Sequence, residues 1–279
     1  MKKLFAVIGD PISHSMSPAM HNDLFKRYEI DAHYHPLHIK AEELETAIKG
    51  LKAIGIAGFN VTIPHKTTII PFLDQVDPLA RAIGAVNTVV NENGQLVGYN
   101  TDGEGFVKGL LADFETVQEK KSLVIGAGGA ARAIYYTMAH YGVKSLDICN
   151  RTQNRALQLV HESPYQVETS VQSIKEAEEN LGTYDLIIQT TSIGMVPNQH
   201  QQPLSLKNMK AEAFVSDIIY NPFETMLLQE AKRNGAGVQN GLNMFIFQGA
   251  LAFQKWTGIS PDPERMKMTV MKHLGGSKC

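Results

Sequence analysis

Cysteine is almost missing from this chain, which holds 2 in 279 residues, Cys149 and Cys279. Two thiols, one inside an apolar run and one at the last position, cannot form a disulfide framework. Such sparing use suits a reducing compartment. An excess of charge of either sign is missing too. Lys and Arg total 26 against 28 Asp and Glu, a formal net charge of −2. That near-balance speaks against a nucleic acid or an anionic membrane as partner. No apolar run reaches the roughly 18 residues that a membrane span needs. The opening MKKLFAVIGDP has the basic start of a secretion signal, but Asp10 and Pro11 end its apolar run after Leu4 to Ile8. It reads as a buried first strand. The uncharged tract from Gly235 to Gln254 is broken by Gln239, Asn240, Asn243 and Gln248, which argues against a lipid-facing helix. Internal repeats and low-complexity stretches are absent. His33, His35 and His38 are close together, but nothing supplies the further ligands of a closed metal site, and none is expected.

What is present is an ordinary globular composition, 43% hydrophobic and 19% charged, on a chain long enough for one large or two ordinary domains. The patterning predicts an α/β protein in two units without an internal repeat. The first covers residues 1–101. It has strands at 4–8, 32–38 and 57–63, helices at 17–28 and 41–53, a short helix after Pro64, and two strands, AVNTVV and QLVGYN, around an Asn-Gly turn. The second runs over 102–240. It has a helix at 103–114 and strands at 122–126, 144–149, 165–169, 184–190 and 213–219, with helices between. Nearly continuous apolar runs such as DLIIQTT are those of parallel strands covered on both faces, so the expected form is a doubly wound sheet. Residues 241–273 read as two helices divided at Gly258 to Pro261, expected to pack back onto the first unit.

One segment of the second unit carries chemistry on its own. The apolar run Leu123 to Ile125 meets Gly126-Ala127-Gly128-Gly129-Ala130 and opens directly into an alanine-rich helical stretch. Glycines at a strand-to-helix turn let the backbone approach a pyrophosphate, and the helix start offers unpaired N–H groups. The third glycine of the usual fingerprint is shifted, giving G-x-G-G-x-x-R. A second apolar run ends about twenty residues on, where an adenosine ribose lies in such folds. Asn150, Arg151 and Thr152 stand there, with Arg155 a turn later and no carboxylate at the strand end. Two guanidiniums suit a 2′-phosphate, so the expected cofactor is NADP(H) rather than NAD.

Nine short motifs are spread in order over nearly the whole chain: IGDPISHSMSPAMHN, GFNVTIPHK, GAVNTVV, GYNTDGEGF, GAGGAAR, NRT, TTSIGM, DIIYNP and GLNMFIFQGALAF. Together they resemble the shikimate dehydrogenase family, NADP-dependent enzymes that interconvert 3-dehydroshikimate and shikimate in the route to chorismate and the aromatic amino acids. The resemblance implies an N-terminal α/β substrate domain, joined by residues from about 241 onward, and a Rossmann-like NADP-binding domain, with a cleft between them. It also implies a cytoplasmic enzyme acting on a small-molecule substrate, as a monomer or homodimer.

The resemblance assigns roles to particular residues. Lys66, of NVTIPHK, is the catalytic ammonium, although a lysine just past a strand is ordinarily only solvated. Asp102, of NTDG, is its carboxylate partner, although an Asp before a helix is also a favoured cap. Ser15 and Ser17 are implied to hold the substrate carboxylate with help from Tyr220. Ser17 before Pro18 also fits a plain helix cap. Asn60, Thr62, Asn87 and Gln248 are implied to reach ring hydroxyls, with Lys66 and Asp102 also touching substrate. For Asn60 and Thr62, strand-end backbone bonding is the plainer alternative. Asn87 and Gln248 are polar in apolar surroundings and need partners. On the cofactor side stand Gly126, Ala127, Gly128, Gly129 and Ala130 for the pyrophosphate, Asn150, Arg151, Thr152 and Arg155 for the adenosine phosphate, and Ile218 and Gly241 for the nicotinamide end. His14 and His65 neighbour these motifs without an implied role. Two rivals remain open here: a quinate/shikimate dehydrogenase with relaxed cofactor use, and a non-catalytic nucleotide-sensing protein on the same fold.

Overall fold

A computed structural model describes residues 2–13 and 15–275. The surroundings of His14 and Cys279, and the terminal GSKC from residue 276 on, lie outside the described residues. In chain order the first elements are β1 (Lys3–Gly9), α1 (Ser17–Arg27), β2 (Ala32–His38), α2 (Leu44–Ala53), β3 (Gly58–Val61), α3 (His65–Thr68), β4 (Gln75–Val76), α4 (Pro78–Ile83), β5 (Thr88–Glu92) and β6 (Gln95–Tyr99). Next come α5 (Asp102–Leu110), β7 (Ser122–Ile125), α6 (Gly129–His140), β8 (Leu146–Cys149), α7 (Gln153–His161), β9 (Val171–Gln172), α8 (Ile174–Asn180), β10 (Leu186–Gln189), β11 (Phe214–Asp217), α9 (Met226–Arg233) and β12 (Gly237–Gln239). The chain closes with α10 (Leu242–Thr257) and α11 (Pro263–His273). Two compact units result, Met1–Thr101 with Ile246–Cys279, and Asp102–Phe245.

The first unit holds a six-stranded sheet in the order β2-β1-β3-β5-β6-β4. β1 runs parallel to β2 and β3, while β5 and β6 form the antiparallel hairpin closed at Asn93-Gly94, where both residues have positive φ. One face is filled by Ala6, Ile8, Ile48, Phe59, Val61, Val86 and Val89. On α2, Leu44, Ile48 and Leu51 recur at helical spacing and are its buried residues. The two last helices return to this unit. Trp256 of α10 donates its indole N–H to the Val89 carbonyl at 2.9 Å, and Arg265 of α11 forks onto Asp23 of α1 at 2.8 and 2.9 Å. Gly58 exists because a Cβ there would meet the Val89 oxygen at 2.8 Å and run into the Trp256 ring.

The second unit holds an all-parallel six-stranded sheet in the order β12-β11-β10-β7-β8-β9. Its central strands are buried throughout, which accounts for their unbroken apolar sequence. Three readings of the sequence need correction. The strand expected at 165–169 lies at β9, 171–172, and residue 168 contributes only an isolated bridge with Ser145. Between the two, the Ser170 amide donates to the Asp147 carboxylate at 2.7 Å rather than to the neighbouring strand's backbone. The helix expected at 103–114 ends at Leu110, and Phe114 instead packs on Phe214. β4, α4 and β12 had no prediction, being too short for a periodicity to show.

Candidate functional site

In the first unit, strand ends and helix starts bring the expected substrate residues into one buried polar row. Asn60, 6% exposed, donates from Nδ2 to the Asn87 carbonyl and to Thr88 Oγ1, both at 3.1 Å. Its Oδ1 accepts the Tyr34 hydroxyl at 2.7 Å. Asn87, 2% exposed, accepts the Thr101 amide at 2.7 Å and donates to Thr101 Oγ1 at 3.0 Å and to Gln248 Oε1 at 3.5 Å. A row of amides and hydroxyls inside an apolar sheet is stable only when its donors and acceptors are matched. These bonds also show what the plain readings got right, because Asn60 does bond backbone across the sheet.

Lys66 sits half-buried on α3, the short helix that follows β3 and the cis Ile63-Pro64 bond. Its own carbonyl accepts the Val86 amide at 2.7 Å, which ties α3 to the chain entering Asn87. Thr62 holds the turn between them, taking a bond from its amide to Ile8 and giving its carbonyl to His65. His65 is fully buried with Nε2 2.6 Å from the Ile39 carbonyl, so it anchors the lysine helix from beneath. Ser15 is half-buried and its Oγ accepts the Ser17 amide at 3.3 Å. Ser17 is not the helix cap that its place before Pro18 suggested. The cap position is Met16, without a side-chain bond, and Ser17 is the first helical residue. Ser17 is buried, 7% exposed. Tyr34 is the member of this row that the sequence reading missed. Only its alternation with exposed His33 and His35 hinted that it faces inward. Burial holds its hydroxyl well above the ordinary tyrosine range, with the Ser17 bond pulling the other way.

In the second unit, Gly126 has φ of +114°, a backbone that only glycine adopts without strain, and a Cβ there would meet Thr190 Oγ1 at 2.7 Å. Thr190 braces this turn by donating to the Ile125 carbonyl at 2.7 Å. Helix α6 then starts at Gly129 with Gly128 as its cap and no side-chain bond to its amides. A Cβ at Gly128 or Gly129 would meet nothing within 4 Å. Open space in front of uncapped amides fits a pyrophosphate. The motif arginine, Arg132, is paired with Glu162 at 2.6 Å. At the end of β8, Asn150 donates to the Thr152 carbonyl at 2.9 Å, fixing the bend. Arg151, Thr152 and Arg155 are exposed, and among the described residues neither guanidinium has an ion-pair partner. The donor set therefore fits a phosphate on the ribose.

The strand β11 ends in Asp217, buried at 1% exposure, which accepts the Ile219 amide at 2.9 Å and the Thr225 hydroxyl at 2.7 Å. Loss of hydration pushes its carboxyl up to about 6. These bonds shape the segment carrying Ile218 and Tyr220. Ile218 leaves its carbonyl against Gly241, where any Cβ would collide with it. Tyr220 is half-buried with its ring 5.3 Å from Phe245, and burial raises its hydroxyl pKa. Asp102 is the first residue of α5 rather than the residue before it. No cluster of three or more His, Cys, Asp or Glu side chains that could hold a metal occurs among the described residues. His38 pairs with Asp10 at 2.7 Å, and the His33 and His35 rings lie 6.0 Å apart on the edge strand.

Three family models match the chain in order: the shikimate dehydrogenase substrate-binding domain over 7–89, shikimate/quinate 5-dehydrogenase over 110–221, and the shikimate 5′-dehydrogenase C-terminal domain over 241–271. Shikimate dehydrogenase (NADP(+)) of Geobacillus sp. strain WCH70 is 56% identical over 277 residues, 99% of this chain and 100% of that protein.

The chain belongs to the shikimate dehydrogenase family.

Among solved members of the family, one crystallised with NADP+ is 40% identical, with a TM-score of 0.90 over 98% of this chain and 96% of that one. The Thermus thermophilus enzyme, solved with NADP(H) and shikimate, is 35% identical, with a TM-score of 0.88 over 97% of this chain and 99% of that one. The substrate domain, the Rossmann-type nucleotide domain and the returning C-terminal helices are thus the architecture of this family.

Proposed function

We propose that this protein reversibly reduces 3-dehydroshikimate to shikimate with NADPH, serving the formation of chorismate and the aromatic amino acids. The observation that carries this reading is the buried row of neutral amides and hydroxyls around Asn60 and Asn87, tied through Val86 to the helix that bears a single lysine, Lys66. A ring bearing several hydroxyls is recognised by such groups. NADPH, when bound, supplies the hydride that adds to the substrate's carbonyl carbon. The amides of Gly126 through Ala130 hold its pyrophosphate, Asn150, Arg151, Thr152 and Arg155 its adenosine phosphate, and the backbone at Ile218 and Gly241 its nicotinamide end. Lys66 gives a proton to the oxygen that gains charge, and Asp102 is the carboxylate of the same proton balance. Ser15, Ser17 and Tyr220 hold the substrate carboxylate, while Asn60, Thr62, Asn87 and Gln248 read the ring hydroxyls.

Positioned proton transfer is worth about 10²- to 10⁴-fold in rate. Lys66→Ala is therefore expected to lower kcat for shikimate oxidation with NADP by that order, with dinucleotide affinity little changed. A kcat near the parent's would remove Lys66 from the mechanism. No helix among the described residues is long and apolar enough to cross a membrane. We assign the enzyme to the cytoplasm, as a monomer or homodimer, which sedimentation at working concentration distinguishes. The missing ribose carboxylate weighs against a quinate enzyme using NAD, and the presence of both Lys66 and Asp102 weighs against a silent nucleotide sensor.

A further inference from the structure

We infer that Tyr34 is a positioning residue for substrate recognition: its phenol locks Asn60 as a hydrogen-bond acceptor. The inference rests on the shikimate reading above and adds a residue and a polarity to it.

The polarity follows from what each atom can do. The Asn87 carbonyl only accepts, so the Asn60 atom 3.1 Å from it is the amide nitrogen. The opposite atom, facing Tyr34 at 2.7 Å, is then the amide oxygen, and it requires the phenol to donate. Both hydrogens of the Asn60 nitrogen go to Asn87 and Thr88. What Asn60 retains is one lone pair on Oδ1, so it reads a hydroxyl that donates.

Nothing else needs that hydroxyl. Tyr34 is 1% exposed, and its backbone is held on both sides by the Asn22 side chain, at 2.8 and 2.9 Å. Its ring is stacked on His21 at 4.6 Å and packs 6.0 Å from Trp256. Tyr34→Phe keeps that packing and removes the single polar atom.

The experiment is calorimetric binding of shikimate without dinucleotide, with steady-state kinetics alongside, on the parent, Tyr34→Phe, Asn60→Ala and the double variant. Tyr34→Phe is expected to weaken shikimate binding and raise its KM about tenfold, the size of one lost net hydrogen bond, while KM for NADP stays unchanged. The penalty should vanish with one of the three singly deoxygenated ring analogues, and in the Asn60→Ala background. An unchanged shikimate affinity in Tyr34→Phe overturns the inference. Equal losses for shikimate and NADP, or additive losses in the double variant, also overturn it, since they mark a merely structural role. A parent protein that neither binds nor oxidises shikimate sinks the functional reading itself, a result distinct from all of these.

Discussion

His21 is the residue with the least comfortable position in the molecule. It is fully buried between Tyr34, Phe253 and Trp256, and neither ring nitrogen has a partner. Desolvation lowers its pKa from 6.5 to about 3. The sign follows from linkage. The unfolded chain takes up the proton near 6.5 and the folded one only near 3, so stability is full above 6.5 and falls as pH drops through that window. The slope is one proton's worth, about 1.4 kcal/mol per pH unit. Asp217 acts oppositely, because its folded value of about 6 lies above its ordinary 3.8 and the folded state holds the proton longer. Its contribution is present below 3.8 and is lost as pH rises towards 6. Between pH 4 and 6 the two slopes therefore offset each other. His21→Phe should make the slope of unfolding free energy against pH more negative by about one proton relative to the parent, and Asp217→Asn more positive by the same amount. Urea titrations at pH 4, 5 and 6 measure this, and parallel curves would refute it.

At the scale of elements, helix α5 is the instructive case, because it begins with Asp102 and has glycines where it meets neighbours. A Cβ on Gly103 would lie 2.5 Å from the Ala133 carbonyl of α6 and would collide with the Thr137 hydroxyl. At the other end, a Cβ on Gly109 would lie 2.9 Å from the backbone of Asn243, whose side chain, with that of Gln239, bonds Asp113 at 3.1 and 2.6 Å. The helix that begins at Asp102 is thus pressed onto the helix that opens at the glycine turn. Gly103→Ala is expected to push α5 off α6, lowering kcat at least tenfold and the melting temperature by several degrees, the cost of an overpacked contact of about 1–3 kcal/mol. A variant with parental kcat and melting point would show that the contact is slack. In the sequence Gly103 stood inside a motif and Gly109 outside any, and no periodicity tells which neighbour a glycine must admit.

For the whole molecule, two cores stand in separate units, and the second carries all the proposed dinucleotide contacts together with Asp102 and Tyr220 of the proposed substrate contacts. A ligand that binds only the folded chain stabilises it by about 2.7 kcal/mol at a hundred times its Kd. NADP and shikimate should each raise the melting temperature. NAD at the same concentration should raise it less, because Arg151 and Arg155 have nothing to pair with on a free 2′-hydroxyl. Exchanging both arginines for Ala should erase the difference between NADP and NAD while leaving the shikimate shift intact. Equal shifts by the two dinucleotides in the parent would reject the 2′-phosphate assignment.

Much of this was written in the chain itself. Continuous apolar runs announced the parallel strands, Asn93-Gly94 the hairpin, and the glycines after Ile125 the turn from strand into helix, because each depends on backbone geometry and burial within a few residues. The missing carboxylate after β8 was equally local. Folding alone decided the rest, wherever a side chain's role depends on an atom far away in sequence. Tyr34 became the donor to an amide 26 positions on, and Arg132 paired with Glu162, 30 positions on. The Ser170 amide went to the Asp147 carboxylate, 23 positions back. A hydrogen bond commits one donor to one acceptor, and only the packed chain brings the candidates within reach of each other.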